Sequence, residues 1–393
     1  VASDRGDGAV REELVARLLD LCDEPAVTGC ERSLCDRLEA RLRGAGEHVL
    51  RVGDSLVAGD SDDPRPRVLL VGHLDVVPPT DDDRVPRVEA RDGGDVVVAR
   101  GAADMHSGNA VAMHLFADAA LRSTSPYALA LVLYAGEEGP AEGNQLEQVL
   151  AAAPWLCDAT LAVVLEPTGG GVELGCNGVL HAEVTFRGTA AHSARPWLGR
   201  NALTAAGGFL AALEGLAPVD HVVDGLVFRD VVVATRAWTP GLEPGGHADG
   251  PGNVVPERFT IDLNHRFAPA RDLAAAEAGL RATVATLLGD ADAEVAIVDR
   301  SPAAAPHRSA PAVAALIEVV GGEVTAKQGW TDVARFVARG VPALNLGPGT
   351  TEQAHRRGEH VAVDAMVAVA AVLRRFLGGE APASPGATTP TGA

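Results

Sequence analysis

Lysine is almost missing from this 393-residue chain: Lys327 is the only one, and every other basic side chain is arginine. With the abundance of Ala, Gly and Val, this reads as genome composition and carries no functional weight. Aromatic residues make up only 4%, but 47% of the chain is hydrophobic, enough for a packed core and far from a disordered composition. Basic charge is also scarce. The 33 Lys+Arg face 53 Asp+Glu, a formal net charge of −20, so a nucleic-acid partner is not expected: phosphate neutralisation needs a basic face. No window approaches the roughly eighteen uninterrupted apolar residues of a membrane helix, and stretches such as 128–135 are strand-length. Residues 1–11 carry acids and glycine where a signal peptide would carry basic residues and then an apolar segment, so neither membrane insertion nor export is expected. The five cysteines (Cys22, Cys30, Cys35, Cys157, Cys176) are odd in number, sparse, and form no Cys-x-x-Cys pair, which points to a reducing cytoplasm.

What is present is a patterned α/β chain. At roughly 100–200 residues per domain the length predicts two domains or three. Apolar residues recur at helical spacing over 10–43 (Leu14, Leu18, Leu19, then Leu34, Leu38, Leu42), broken near Pro25 and Gly29, which predicts two helices. RVLLVGHL (67–74) is a continuous apolar run of the kind buried on both faces of a sheet, and similar runs follow at 129–134 and 161–165, with a helical stretch over 107–121. Buried strands alternating with helices predict a largely parallel sheet flanked by helices, with ligands beyond the C-terminal strand ends. After residue 178 the pattern becomes βαββαβ: strands at 181–188, 229–238, 258–267 and 293–298, helices at 201–216 and 270–288. That order fits an inserted ferredoxin-like α+β domain. From 300 the α/β character returns, with helices near Ala312 and Asp332, a strand at 342–347 and a final helix over 364–377. The expected division is therefore 1–178 and 299–377 for one discontinuous domain, 179–298 for the insert, and a disordered Pro/Ala/Thr/Gly-rich tail over 378–393.

The chemistry-bearing residues fall at strand ends. His73 and Asp75, at i and i+2, project to one face; they either cap the strand or form a metal ligand and its orienting partner. Asp104 in GAADMHSG is a helix N-cap or a ligand. Glu137 and Glu138 follow the run ALALVLYA; adjacent carboxylates repel unless solvated or neutralised, and the sharper reading makes one a metal ligand and the other a general base. Glu166 closes LAVVLEP, and His355 lies in the glycine-rich loop GPGTTEQAH. Acids or histidines at five such ends form a mixed N/O set suited to zinc, cobalt or manganese more than to magnesium.

In order, GHLDVVP (72–78), GAADMHSG (101–108), YAGEEGP (134–140), LEPT (165–168) and the late His355 resemble the M20 metallopeptidases and deacylases, a family that includes carboxypeptidase G-like enzymes, aminoacylases, acetylornithine deacetylase and succinyl-diaminopimelate desuccinylase. The resemblance covers about residues 12–377. It implies a zinc-peptidase-like catalytic domain with a lid and dimerisation insert, and a site for two divalent ions, usually zinc. One ion would be held by His73, Asp104 and Glu166 and the other by Asp104, Glu138 and His355, with Asp104 bridging. It makes Asp75 the partner of His73, Glu137 the general base, and His192 in TAAHSARP a lid residue that stabilises the oxyanion across a homodimer.

Within the family, GCNGVLHAEVTFRGTAAHSARPWLGRNA, GNVVPERFTIDLNHRF, KQGWTDVARF and LNLGPGTTEQAHRRGEHV are most similar to the actinobacterial type of succinyl-diaminopimelate desuccinylase. That likeness implies substrate contacts from Asn253 and Arg266, the latter able to bind a carboxylate bidentately; a structural ion pair is the alternative for Arg266. Thr331, Asp332 and Arg335 also lie in a matching stretch. Cys176 and Asn177 depart from the enterobacterial type, which carries a basic pair there. The activity the resemblance implies is di-metal amide hydrolysis that removes the succinyl group from N-succinyl-LL-2,6-diaminopimelate, giving succinate and LL-diaminopimelate. The alternatives are another M20 amidase (an N-acyl amino acid deacylase, acetylornithine deacetylase or carboxypeptidase) or a catalytically silent ligand-binding relative, against which the intact Glu137 argues.

Overall fold

The computed structural model describes residues 2–239 and 252–379. The tail expected to be disordered lies, from residue 380 on, outside the described residues. The chain forms two compact units, one built from Val1–Gly175, Pro306–Thr325 and Thr331–Ala393, the other from Cys176–Ala305 and Ala326–Trp330.

The first unit is centred on an eight-stranded sheet. Its middle is parallel: Ala128–Tyr134, Arg67–His73, Leu161–Pro167 and Ala343–Gly347 lie side by side in that order, and every residue of the four is buried. Continuous apolar runs fit a layer covered on both faces, because neither side of such a strand can be left wet. The covering includes the helices Ala2–Cys22, Ser107–Ala117 and Val363–Leu377, which pack together. The parallel register places His73 opposite Tyr134 and so brings the C-terminal strand ends to one edge.

The second unit is a five-stranded antiparallel sheet with the order Val219–Val223, Leu226–Trp238, Arg258–Phe267, Gly178–Arg187, Ala293–Ser301. Without its first strand this is the ferredoxin-like order. One face buries Val184, Phe186, Ile261, Leu263 and Phe209 with Leu280 and Val284 of helix Leu273–Leu288. That helix starts at Asp272, whose carboxylate accepts the Ala275 N–H at 2.7 Å.

Several elements differ from expectation. The helix expected over 107–121 breaks at Asp118, whose carboxylate caps a second helix, Ala119–Thr124. The helix expected over 201–216 is two pieces, Ala202–Ala205 and Gly207–Glu214, consistent with the pair Gly207–Gly208 weakening it. Three hairpins went unpredicted: Val49–Val52 with Ser55–Ala58, Arg87–Arg91 with Gly94–Val98, and Val219–Val223 with the start of Leu226–Trp238. Among the described residues no helix is long and apolar enough to cross a membrane.

Candidate metal centre

His73 ends its strand fully buried. Its Nδ1 lies 2.8 Å from the Asp75 backbone carbonyl, which can only accept, so Nδ1 carries a proton and Nε2 is turned toward the neighbouring carboxylates. That Nε2 stands 3.3 Å from Asp104 Oδ1 and 3.9 Å from Glu166 Oε1. The orienting contact expected from the Asp75 side chain is thus made by its main chain, with the carboxylate farther off at 3.7 Å. That carboxylate instead accepts the N–H groups of Gly136, Glu137 and Glu138 at 2.9, 3.0 and 2.9 Å and the Thr28 hydroxyl at 3.0 Å. Three N–H groups on one buried anion fix the loop that carries both glutamates.

Asp104 lies in the turn Ala102–His106 that leads into Ser107–Ala117. Its second oxygen, Oδ2, is 3.5 Å from His355 Nε2, and that same Nε2 is 2.7 Å from Glu138 Oε1. The two oxygens of Asp104 therefore face different imidazoles. One ligand atom from each of His73, Asp104 and Glu138 lies within 4.8 Å of the others. His355 reaches the cluster from a left-handed backbone conformation, φ 60°, which a non-glycine residue holds at a cost of about 1 kcal/mol or more.

Three supports gave no signal on their own. Buried Glu359 accepts the N–H groups of Ala103 and Asp104 at 2.8 and 2.9 Å and pairs with Arg100 at 2.7 Å. Asn109 donates to the His73 carbonyl at 2.6 Å. A Cβ on Gly72 would stand 1.9 Å from Asn109 Oδ1, so this strand position must be glycine for Asn109 to approach.

The electrostatics call for cations. Burial pushes Glu137 up; the His73 charge opposes this, while Glu166, Asp332 and Glu138 add to it, leaving the carboxyl well above its usual range. Burial depresses His73, but the Asp104 bond and the charges of Glu137, Asp75 and Asp104 outweigh it and raise the imidazole well above its ordinary value. His355 is raised by its bond to Glu138. Gathered carboxylates with imidazoles facing them are a donor set that divalent cations would satisfy. Nε2 of His73 thus faces Asp104 and Glu166, and Nε2 of His355 faces Asp104 and Glu138.

The remaining expected residues lie in the second unit. His192 is exposed on the ribbon Ala191–His192 with Val254–Val255; its Nδ1 accepts the Ala194 N–H at 3.0 Å. Asn253 adjoins it, its carbonyl accepting the Ser193 N–H at 2.8 Å. Arg266 is half-buried and lines a cavity of about 350 Å³ within the second unit, with Asn177, Arg229 and Gln328.

A helix-flanked parallel sheet that gathers carboxylates and imidazoles at its strand ends, with a ferredoxin-like insert, is the architecture of a metal-dependent hydrolase. The chain belongs to peptidase family M20/M25/M40, which matches residues 69–378. A Mycobacterium tuberculosis protein provisionally named succinyl-diaminopimelate desuccinylase DapE is 38% identical over 93% of this chain and 98% of its own length. A Corynebacterium glutamicum succinyl-diaminopimelate desuccinylase is 36% identical over 93% and 95%. A Bacillus subtilis structure described as a dinuclear metal binding peptidase of the M20 family aligns with a TM-score of 0.65 at 15% identity, over 94% of this chain and 98% of that one.

Proposed function

We propose that the chain is a cytoplasmic di-metal amidohydrolase that takes N-succinyl-LL-2,6-diaminopimelate and water to succinate and LL-diaminopimelate. The observation that carries the chemistry is Asp104 set between His73 and His355, with Glu137 half-buried on the loop that also carries Glu138. The substrate is carried by the names of the two actinobacterial relatives.

Two divalent ions, zinc foremost with cobalt or manganese as substitutes, would supply polarisation of the amide carbonyl and acidification of the attacking water. Glu137, with its raised proton affinity, takes the proton from that water and returns it to the leaving nitrogen as the C–N bond breaks. The Asp75 carboxylate holds the Glu137 N–H and so fixes where this base stands. His192 is assigned to the developing oxyanion. Arg266 is assigned to a substrate carboxylate, and Asn253 to a further polar contact.

The insert is assigned to a homodimer. Apolar side chains exposed side by side on the second unit support this: Val222 at 71% and Val227 at 47% stand opposite each other on a hairpin, and adjoining exposed apolar side chains form the kind of patch that marks an association surface.

The test is metal-reconstituted protein assayed against N-succinyl-diaminopimelate, N-acetyl amino acids and dipeptides, with a chelator control. Succinate release that the chelator abolishes is the expected result. Preferential release of acetate or of a terminal residue would assign the chain to another branch of the family, and turnover that survives chelation would remove the metals from the reaction.

A further inference from the structure

Glu137 and Glu138 ride on a loop whose two ends meet at one buried carboxylate. Tyr134 closes the strand Ala128–Tyr134 just before the loop, and Asn144 follows the short helical turn Ala141–Gly143 at its far end. The Tyr134 hydroxyl donates to Asp332 Oδ2 at 2.6 Å, and Asn144 Nδ2 donates to the same oxygen at 2.9 Å. The other oxygen, Oδ1, accepts Arg335 Nε at 2.5 Å, and Arg335 in turn donates to Glu147 at 2.9 Å, on the helix Leu146–Ala152 that continues from the loop. Asp332 and Tyr134 are wholly buried.

The main chain repeats the closure. Gln145 N–H donates to the Ala135 carbonyl at 2.9 Å, and a Cβ on Gly136, whose φ is 84°, would lie 2.3 Å from the Gly143 carbonyl oxygen. The crest of the loop is held separately by the three N–H bonds to Asp75. A loop tied at base and crest has little freedom to displace its two carboxylates.

Burying a carboxylate is costly, and well-packed apolar side chains would fill the same space at less cost to stability. What a carboxylate adds is direction: charge-assisted bonds to an arginine, a phenol and an amide fix three groups from three segments in one geometry. We infer that Asp332 is a positioning residue, and that its bonds to Tyr134 and Asn144 clamp the 135–144 loop and so set Glu137 and Glu138 against His73 and His355. The inference rests on the reading of Glu137 as base and Glu138 as ligand.

The test compares Tyr134→Phe and Asp332→Asn with the parent and with Glu137→Gln, all as metal-loaded full chains. Tyr134→Phe removes one hydroxyl from the clamp and leaves Asp332 paired with Arg335, so it keeps the experiment decisive if Asp332→Asn fails to fold. Three quantities are read: kcat and KM on whichever substrate the panel selects, bound metal per chain, and backbone amide exchange over 135–144. Both variants are expected to retain metal and a near-parental KM. A shift of ~1 Å at a reacting group can cost about a hundredfold, so kcat is expected to fall about tenfold in Tyr134→Phe and toward a hundredfold in Asp332→Asn. Exchange is expected to quicken at 135–144 while the central strands stay protected.

Parental kcat with parental exchange in Tyr134→Phe overturns the clamp. So does exchange that rises evenly across the first unit, or a loss confined to KM. If Glu137→Gln turns over like the parent, the base reading fails instead, and exchange at 135–144 alone decides the clamp.

Discussion

At the scale of single residues, Glu137 and His265 make opposite statements about burial. Glu137 is a carboxyl whose proton affinity burial and neighbouring acids raise, the direction a general base requires. Glu137→Gln keeps the shape and removes the base; kcat is expected to fall by at least about 10²-fold, while elemental analysis finds parental metal, because the residue is not among the assigned ligands. His265, on the sheet of the second unit, is lowered to about 4 by burial. Its folded pKa lies below the unfolded value of about 6.5, so the unfolded chain binds the proton first. The neutral ring contributes fully above pH 6.5, and stability is lost as pH falls from there toward 4, by about 3 kcal/mol at the limit. His265→Leu should therefore narrow the gap between unfolding midpoints at pH 7 and pH 5; an unchanged gap would mean that other groups set the acid sensitivity. In the sequence His73, Glu138 and Glu166 stand out because each closes or closely follows a buried apolar run, and Asp104 and His355 through the motifs around them. Glu359 and Asn109 do not, since what makes Glu359 matter is a backbone that lies 255 positions away in the chain.

At the scale of elements, the four fully buried strands were plain in the sequence because their apolar runs have no polar face to confuse. The missed hairpins had a signal too. Each turns at a short Gly/Asp pair, Gly53–Asp54, Asp92–Gly93 or Asp224–Gly225, the last with both residues at positive φ, 51° and 78°, as a tight two-residue turn requires. Their strands alternate weakly or lie exposed, so hydrophobic periodicity alone passed over them; Arg87–Arg91, for example, has no buried residue. The strand Arg67–His73 carries a constraint that its period does not show. Gly72→Ala would drive a Cβ into Asn109 Oδ1 and disturb the bond that holds the His73 carbonyl. Overpacking of this kind costs roughly 1–3 kcal/mol, and thermal unfolding should show that loss together with weaker metal retention. An unaltered midpoint would show that Asn109 can retreat without consequence.

At the scale of the whole molecule, the charge of −20 divides into two parts. Two divalent ions would offset four negative charges at the metal centre, and the remaining excess repels an anionic substrate unless basic groups draw it in. Because cations bind the folded site and not an unfolded chain, ligand linkage predicts a gain of about 2.7 kcal/mol at a free metal concentration a hundred times the dissociation constant. Chelation should therefore lower the transition of the first unit and leave that of the second in place, resolved by calorimetry. A single transition moving as one would mean that the units unfold together. The assignment of His192 across the dimer is tested by mixing His192→Ala with Glu137→Ala subunits: recovered activity is expected, and none above the separate variants would place His192 elsewhere. Local period and strand polarity are enough to fix the alternation of buried strands and helices, the ferredoxin-like insert and the residues at the strand ends, without reference to distant chain. Folding alone sets Asp104 between two imidazoles, turns the Asp75 carboxylate to a loop and not to a ring, and brings Asp332 to the base of that loop. Each of these depends on hydrogen bonds between groups far apart in the chain, which no local pattern encodes.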